Sequence, residues 1–155
     1  MARSAPLVDT DEMDTRIGTV TAAVTPSLGY DDARAGIDWL VEVLGFHVAE
    51  LHEMPDGSVA HAELVWGTGL VFAGTRPKTE PWSGVGPTSL SLAADDAAAV
   101  DRLYDRARAA GADIFLEMHE APYGSHQFCV RDPGGNFWTV GTYRPQHPVE
   151  PTRRP

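Results

Sequence analysis

Apolar and polar positions along this chain follow one grammar twice. From Gly18 to Leu28 the β-branched residues Thr19, Val20, Thr21, Val24 and Thr25 alternate as a half-buried strand would, and Pro26 marks a strand end or edge. Tyr30-Asp31-Asp32 reads as a turn into a helix capped by Asp32. The helix is predicted over Ala33 to Leu44, where Ala33, Ile37, Leu40, Val41 and Leu44 form an apolar stripe and Gly45 takes the left-handed position beyond it. Three strands follow: Phe46 to Glu53, Ser58 to Trp66 and Leu70 to Gly74. Pro55-Asp56-Gly57 and Gly67-Thr68-Gly69 separate them. Thr75 to Gly86, with Pro77, Pro81, Gly84 and Gly86, is a linker.

The order then recurs. A strand is predicted over Thr88 to Ala94, and a helix capped by Asp95 or Asp96 carries Val100, Leu103, Ala107 and Ala110 before Gly111 ends it. Strands at Ile114 to Met118, Gln127 to Arg131 and Phe137 to Thr142 complete the second half. Asp31-Asp32-Ala33-Arg34-Ala35 echoes Asp95-Asp96-Ala97-Ala98-Ala99 at an offset of 64, although the second helix is two residues longer. Two βαβββ units result, and a duplicated unit of this kind buries its apolar face against its copy. Between the last two strands, Asp132-Pro133-Gly134-Gly135-Asn136 has the chemistry of a hairpin loop. Asp132 and Asn136 can bond their own backbone, Pro133 fixes φ, and the glycines permit positive φ.

Composition changes this picture only at its margins. The 155 residues fit one domain: an acidic flexible tail over 1–17, a body over 18–145, and a proline-rich disordered tail over 146–155. The body divides into modules at 18–75 and 87–145, joined by the linker at 76–86. A net charge of −10 argues against nucleic acid and anionic membrane as partners, because both demand a basic footprint. No apolar run approaches the ~18 residues of a membrane span. Without a secretory signal in the first residues, and with Cys129 as the one cysteine, the expected compartment is the cytoplasm. Cys129, inside a strand, reads as a buried thiol of low reactivity.

Three segments occur in order with the repeat: Val24-Thr25-Pro26-Ser27-Leu28-Gly29-Tyr30-Asp31-Asp32, His61-Ala62-Glu63-Leu64, and Arg131 through Asn136 on to Arg144-Pro145. Through them the chain, from about Val24 to Pro145, resembles the vicinal-oxygen-chelate superfamily (glyoxalase, bleomycin resistance, dioxygenase), most of all its PhnB-like, glyoxalase-like branch. The resemblance implies an α+β fold in which two βαβββ modules form an open, barrel-like concave sheet with a ligand cavity between the modules. It also implies that metal-dependent members project four ligands into that cavity, as His, Gln or Glu. Small members often build the cleft across a dimer interface, so a homodimer is expected.

Carried over by spacing, the four ligand places fall on Thr25, Glu63, Ser89 and Thr139. One carboxylate with three hydroxyls is a poor set for a divalent transition metal, which favours imidazole, thiolate or carboxylate ligands. No cofactor is therefore expected and a divalent metal is not favoured. Strand alternation would place His61 beside Glu63, Ser91 beside Ser89 and Phe137 beside Thr139 on the inner faces. Ligand binding by Thr25, His61, Glu63, Ser89, Ser91, Phe137 and Thr139, with the loop aromatics Trp82 and Tyr123, is the expected activity, and the acidic and aromatic mix suits a cationic or aromatic small molecule. His61 and Glu63 are also the candidates for acid–base catalysis, should the protein be a lyase, isomerase or dioxygenase. His47 and His52, five apart on one strand, should lie on opposite faces, and with His119 and His126 they read as surface residues. Trp39 and Trp138 belong to the core, and Asp31 and Asp32 to the helix start.

Overall fold

The computed structural model describes residues 22–146. The acidic segment, the start of the first predicted strand (residues 18–21) and most of the C-terminal tail lie outside the described residues. Within them the chain runs β1 (Ser27–Tyr30), α1 (Ala33–Trp39), a π-helical turn (Leu40–Leu44), β2 (His47–Glu53), β3 (Val59–Trp66) and β4 (Gly69–Thr75). After the linker come β5 (Ser89–Ala93), α2 (Ala97–Ala109), β6 (Asp113–Glu120), β7 (His126–Arg131) and β8 (Phe137–Gly141). The strands form two sheets ordered β1-β4-β3-β2 and β5-β8-β7-β6. In each, the first strand pairs parallel to the last and the other pairings are antiparallel. This is the predicted α+β fold of two βαβββ modules.

The first strand differs from its prediction. Residues 22–26 are not in a strand, and β1 begins only after Pro26, whose carbonyl accepts from the Phe72 amide at 2.8 Å. Proline has no N–H to give a ladder, so regular pairing starts one residue later. The helix caps follow the sequence: Asp32 accepts from the Ala35 amide at 3.0 Å and Asp96 from the Ala99 amide at 2.8 Å. Gly45 and Gly111 close the helices at φ 78° and 66°. The predicted helix over Ala33 to Leu44 instead changes to the wider π-helical turn after Trp39. Val41 turns outward, 37% exposed, while Val43 takes its place in the core beside Leu40 and Leu44. Trp39 is half-buried against that core, and Trp138 lies fully inside it.

One continuous core joins the modules. Ala62 and Leu64 of β3, Val71 and Ala73 of β4, Phe128 and Val130 of β7, and Trp138 and Val140 of β8 all turn to the helix side and are buried. The Phe46 ring meets Trp138 edge-on, with centroids 5.5 Å apart. Arg106 of α2 donates to the carbonyls of Val41 and Glu42, so the second helix caps the end of the first.

The centre of this junction is Asp132, 4% exposed. Its carboxylate accepts from the Tyr30 hydroxyl at 2.7 Å, the Trp138 indole N–H at 3.0 Å, the Asn136 side-chain amide, and the backbone amides of Gly134 and Asn136, both at 2.9 Å. A buried carboxylate is tolerable only when its lone pairs are filled in this way. Tyr30 comes from the first module and the other donors from the second, so the hairpin loop is also the clasp between halves. Burial, and then the adjacent Asp132 charge, push the Tyr30 hydroxyl far above the usual tyrosine range, which keeps it a donor. Its ring fits because of two glycines: a Cβ on Gly36 would stand 2.4 Å from it, and one on Gly134 2.7 Å.

Candidate functional site

The faces of the two sheets away from the helices carry the chemistry. On the first sheet, ladder pairing sets Glu50 opposite Glu63, His52 opposite His61, and Glu63 beside Phe72. His61 Nε2 lies 3.1 Å from Glu63 Oε1 and His52 Nε2 lies 2.5 Å from Glu50 Oε1. The two imidazoles stack with centroids 6.3 Å apart, and the Phe72 ring meets His61 edge-on at 4.8 Å. The result is a square of two acids and two imidazoles against an aromatic ring. His61 and Glu63 are 39% and 33% exposed at the side chain, so a ligand can reach them.

Glu50 and His52 join this face because of a β-bulge. His47 pairs with Val65 and Val48 with Leu64, but the next pair is Glu50 with Glu63, leaving Ala49 as an extra residue. One extra residue reverses the alternation for the rest of the strand. His47 and His52 therefore point to the same face, not to opposite faces as strict alternation predicts. The bulge has no signature in residue type, and the helix-side burial that reveals it depends on the partner strand.

The second sheet repeats the device with other chemistry. Ile114 pairs with Val130 and Leu116 with Cys129, so Phe115 is the extra residue at the matching place. The Phe115 and Phe137 rings lie 4.9 Å apart, and the Arg131 guanidinium sits 5.0 Å from the Phe137 centroid and 5.7 Å from that of Phe115. Ser89 pairs with Phe137 and Ser91 with Thr139 on the same face, and Thr139 Oγ1 approaches Cys129 Sγ at 3.5 Å. Tyr123, in the turn before β7, donates to Gln127 Oε1 at 2.7 Å, and the Gln127 side-chain amide reaches His119 at 3.3 Å.

The nine residues singled out from the sequence thus fall into separate groups. His61 and Glu63 form a bonded pair on the first sheet, while Ser89, Ser91, Phe137 and Thr139 share the second. Thr25 precedes β1, Trp82 stands exposed in the short helical turn Trp82–Gly84 of the linker, and Tyr123 crowns the β6–β7 hairpin. Glu50, His52, Phe72, Phe115 and Arg131 are the face residues that sequence reasoning missed. The regular strand register could have found Phe72, since it sits directly opposite Glu63.

At the four places expected from the resemblance, Thr25, Glu63, Ser89 and Thr139, the side chains are a poor donor set for a divalent transition metal. Glu63 is the one ionisable donor, it is engaged by His61, and the other three are neutral hydroxyls. Among the described residues, no group of three or more His, Cys, Asp or Glu side chains converges as a metal site.

His126 behaves differently from the surface residue its loop position predicts. Its Nε2 lies 2.7 Å from Asp101 of α2 and its Nδ1 2.5 Å from Glu120 of β6. These two carboxylates, Asp101 first, raise its pKa above the ordinary histidine value. It ties the second helix to the β6–β7 hairpin. No helix among the described residues is long and apolar enough to cross a membrane.

Comparison with known proteins agrees with the fold. The family model of the glyoxalase/bleomycin resistance protein/dioxygenase superfamily matches residues 16–140. The crystal structure of TioX from Micromonospora sp. ML1 is similar at 30% identity and a TM-score of 0.65, covering 78% of this chain and 98% of that one. A lactoylglutathione lyase from Agrobacterium tumefaciens shares the fold at 24% identity and a TM-score of 0.59, covering 79% of this chain and 95% of its own. The uncharacterized protein MT0910 of Mycobacterium tuberculosis is 30% identical over 138 residues, 83% of this chain and 78% of that protein. The duplicated modules, the clasp between them and the matched span have one reading: this chain belongs to the glyoxalase/bleomycin resistance protein/dioxygenase superfamily.

Proposed function

We infer that the protein binds a small organic molecule on its concave faces without a metal, as a sequestering protein of the bleomycin-resistance kind would. The observation that carries this reading is the square of Glu50, His52, His61 and Glu63 against Phe72. Two carboxylates beside a ring edge offer charge and a flat apolar surface together, which suits an aromatic cation. Sequestration needs affinity alone, so neither an activated nucleophile nor a metal is required. The protein acts as a homodimer in this reading, with a second copy covering the large apolar side chains that one chain leaves out: Phe115, Leu116 and Phe137 are 44%, 45% and 41% exposed.

Calorimetric titration with 2-naphthylmethylammonium tests the binding. Saturable binding that falls about tenfold or more in Glu63→Gln supports it, since that change removes one charged partner at constant shape. Binding indifferent to Glu63→Gln and Glu50→Gln refutes it. Light scattering on the eluting protein tests the dimer, which a monomer mass at micromolar concentration would refute.

One observation favours a second reading. The His61–Glu63 contact at 3.1 Å is an acid–base pair of the kind that moves a proton in a lyase or isomerase. A turnover whose bell-shaped pH dependence disappears in Glu63→Gln would convert the binding site into an active site.

A further inference from the structure

A cavity of about 690 Å³ lies on the helix side of the sheets, away from the concave faces. One wall is the end of the β3–β4 hairpin, from Trp66 to Val71, in the first module, and the other is β5 and α2 of the second. Its apolar lining includes Phe46, Trp66, Leu90, Leu92, Leu103 and Trp138. The volume falls within the roughly 300–1,000 Å³ of small-molecule sites, and a mostly apolar lining with a few placed polar groups is their usual composition.

The polar groups run against the rest of the chain. The protein has 22 acidic and 12 basic residues, yet among the described residues the cavity is lined by Arg102, Arg106 and Arg144 with Asp95 as the one acid. Two of the guanidiniums are held in place by neutral partners. Arg106 donates to the carbonyls of Val41 and Glu42, and Arg144 to the carbonyl of Ala93 at 2.8 Å. Carbonyl oxygens orient a guanidinium without cancelling its charge. Asp95 stands 3.5 Å from Arg144 but is 95% exposed at the side chain, where solvent screens it. Positive charge therefore gathers at the exposed rim of an apolar chamber, in a molecule whose net charge repels anions elsewhere.

We propose that this cavity is a second ligand site, which takes a small organic anion: an apolar body of one or two rings, or a short acyl chain, with a carboxylate turned to the arginines. The apolar body replaces water against Trp66, Leu90, Leu92 and Trp138, and the carboxylate meets guanidiniums whose planar forks match it in shape. Ser91 is the one residue of the sequence-predicted ligand set that also lines this cavity, and Glu63 and His61 do not. The site is thus separable from the concave face by mutation.

The test uses the full chain and 2-naphthoate, with 2-naphthylmethylammonium as the probe of opposite charge and the same rings. Titration calorimetry on the wild type should show one naphthoate per chain with Kd below about 1 mM. Arg102→Gln should weaken naphthoate about fivefold to tenfold by removing one charged partner, and Thr68→Trp, at the exposed cavity mouth, should block it. Glu63→Gln should leave naphthoate unchanged. Melting temperatures near that of the wild type show that the three variants fold. The proposal is overturned if naphthoate does not bind, if its binding is indifferent to both Arg102→Gln and Thr68→Trp, or if it is lost in Glu63→Gln. The ammonium probe reports separately on the concave face, so failure there leaves the naphthoate result standing.

Discussion

The two modules share strand order, pairing and even the site of a β-bulge, and yet their concave faces have different chemistry. Matching the ladders places Glu63 of the first module where the second has Cys129, and Phe72 where the second has Thr139. One face is an acid–imidazole square, and the other is an arginine over two phenylalanines with hydroxyls beside them. The helix-facing residues stay apolar in both modules because the shared core requires it. The outward positions make no such demand and are free to diverge. A duplicated fold can in this way present two unlike faces.

The hairpins preceding the last strand differ just as much. In the first module β3 and β4 are joined by the tight turn at Gly67 and Thr68, whereas β7 and β8 are joined by the Asp132 loop that clasps both halves. The sharpest test of this asymmetry is Asp132→Ala, which leaves Tyr30, Trp138 and Asn136 without their acceptor. We expect a loss of about 3–5 kcal/mol in denaturant unfolding, as for other broken buried charge networks. Thr68→Ala, in the corresponding hairpin, should stay within about 0.5 kcal/mol as an exposed substitution. Next in size, Gly36→Ala forces a methyl into the Tyr30 ring at 2.4 Å and should cost about 1–3 kcal/mol by overpacking. Tyr30→Phe removes one donor to Asp132 and should cost about 1–2 kcal/mol, with the Asp132→Ala/Tyr30→Phe cycle showing coupling between modules.

Unlike faces should also respond unlike to ligand. Glu63→Gln is expected to weaken the naphthylmethylammonium probe about tenfold, while Arg131→Ala on the other face should not weaken it. Equal losses would show that the probe spans both faces. The smallest effect concerns His126, whose folded pKa is raised above 6.5 by Asp101 and Glu120. Its stabilising contribution is therefore fully present below about pH 6.5 and is lost as pH rises through the raised value. Melting temperatures of wild type and His126→Gln should differ at pH 6 and converge in alkaline buffer.

Much of this architecture is legible in the chain by itself. Turn chemistry at Pro55-Asp56-Gly57 and at Asp132 through Asn136, capping by Asp32 and Asp96, and glycines at Gly45 and Gly111 are local instructions, and they set where strands and helices begin and stop. The repeat and the alternation of β3, β5 and β8 likewise follow from residue type and period, so the pairing of His61 with Glu63 on one face could be read directly. What tertiary structure decided is whatever depends on a distant partner. Ala49 and Phe115 become extra residues only when β2 and β6 meet β3 and β7, and that event brings Glu50 and His52 onto the face of His61 and Glu63. The turn that exchanges Val43 for Val41, the clasp of Tyr30 on Asp132 and the arginine-rimmed cavity all arise from packing one module on the other. Period and turn chemistry act over a few residues, whereas register and cavities are settled by contacts far apart in sequence, which no local pattern encodes.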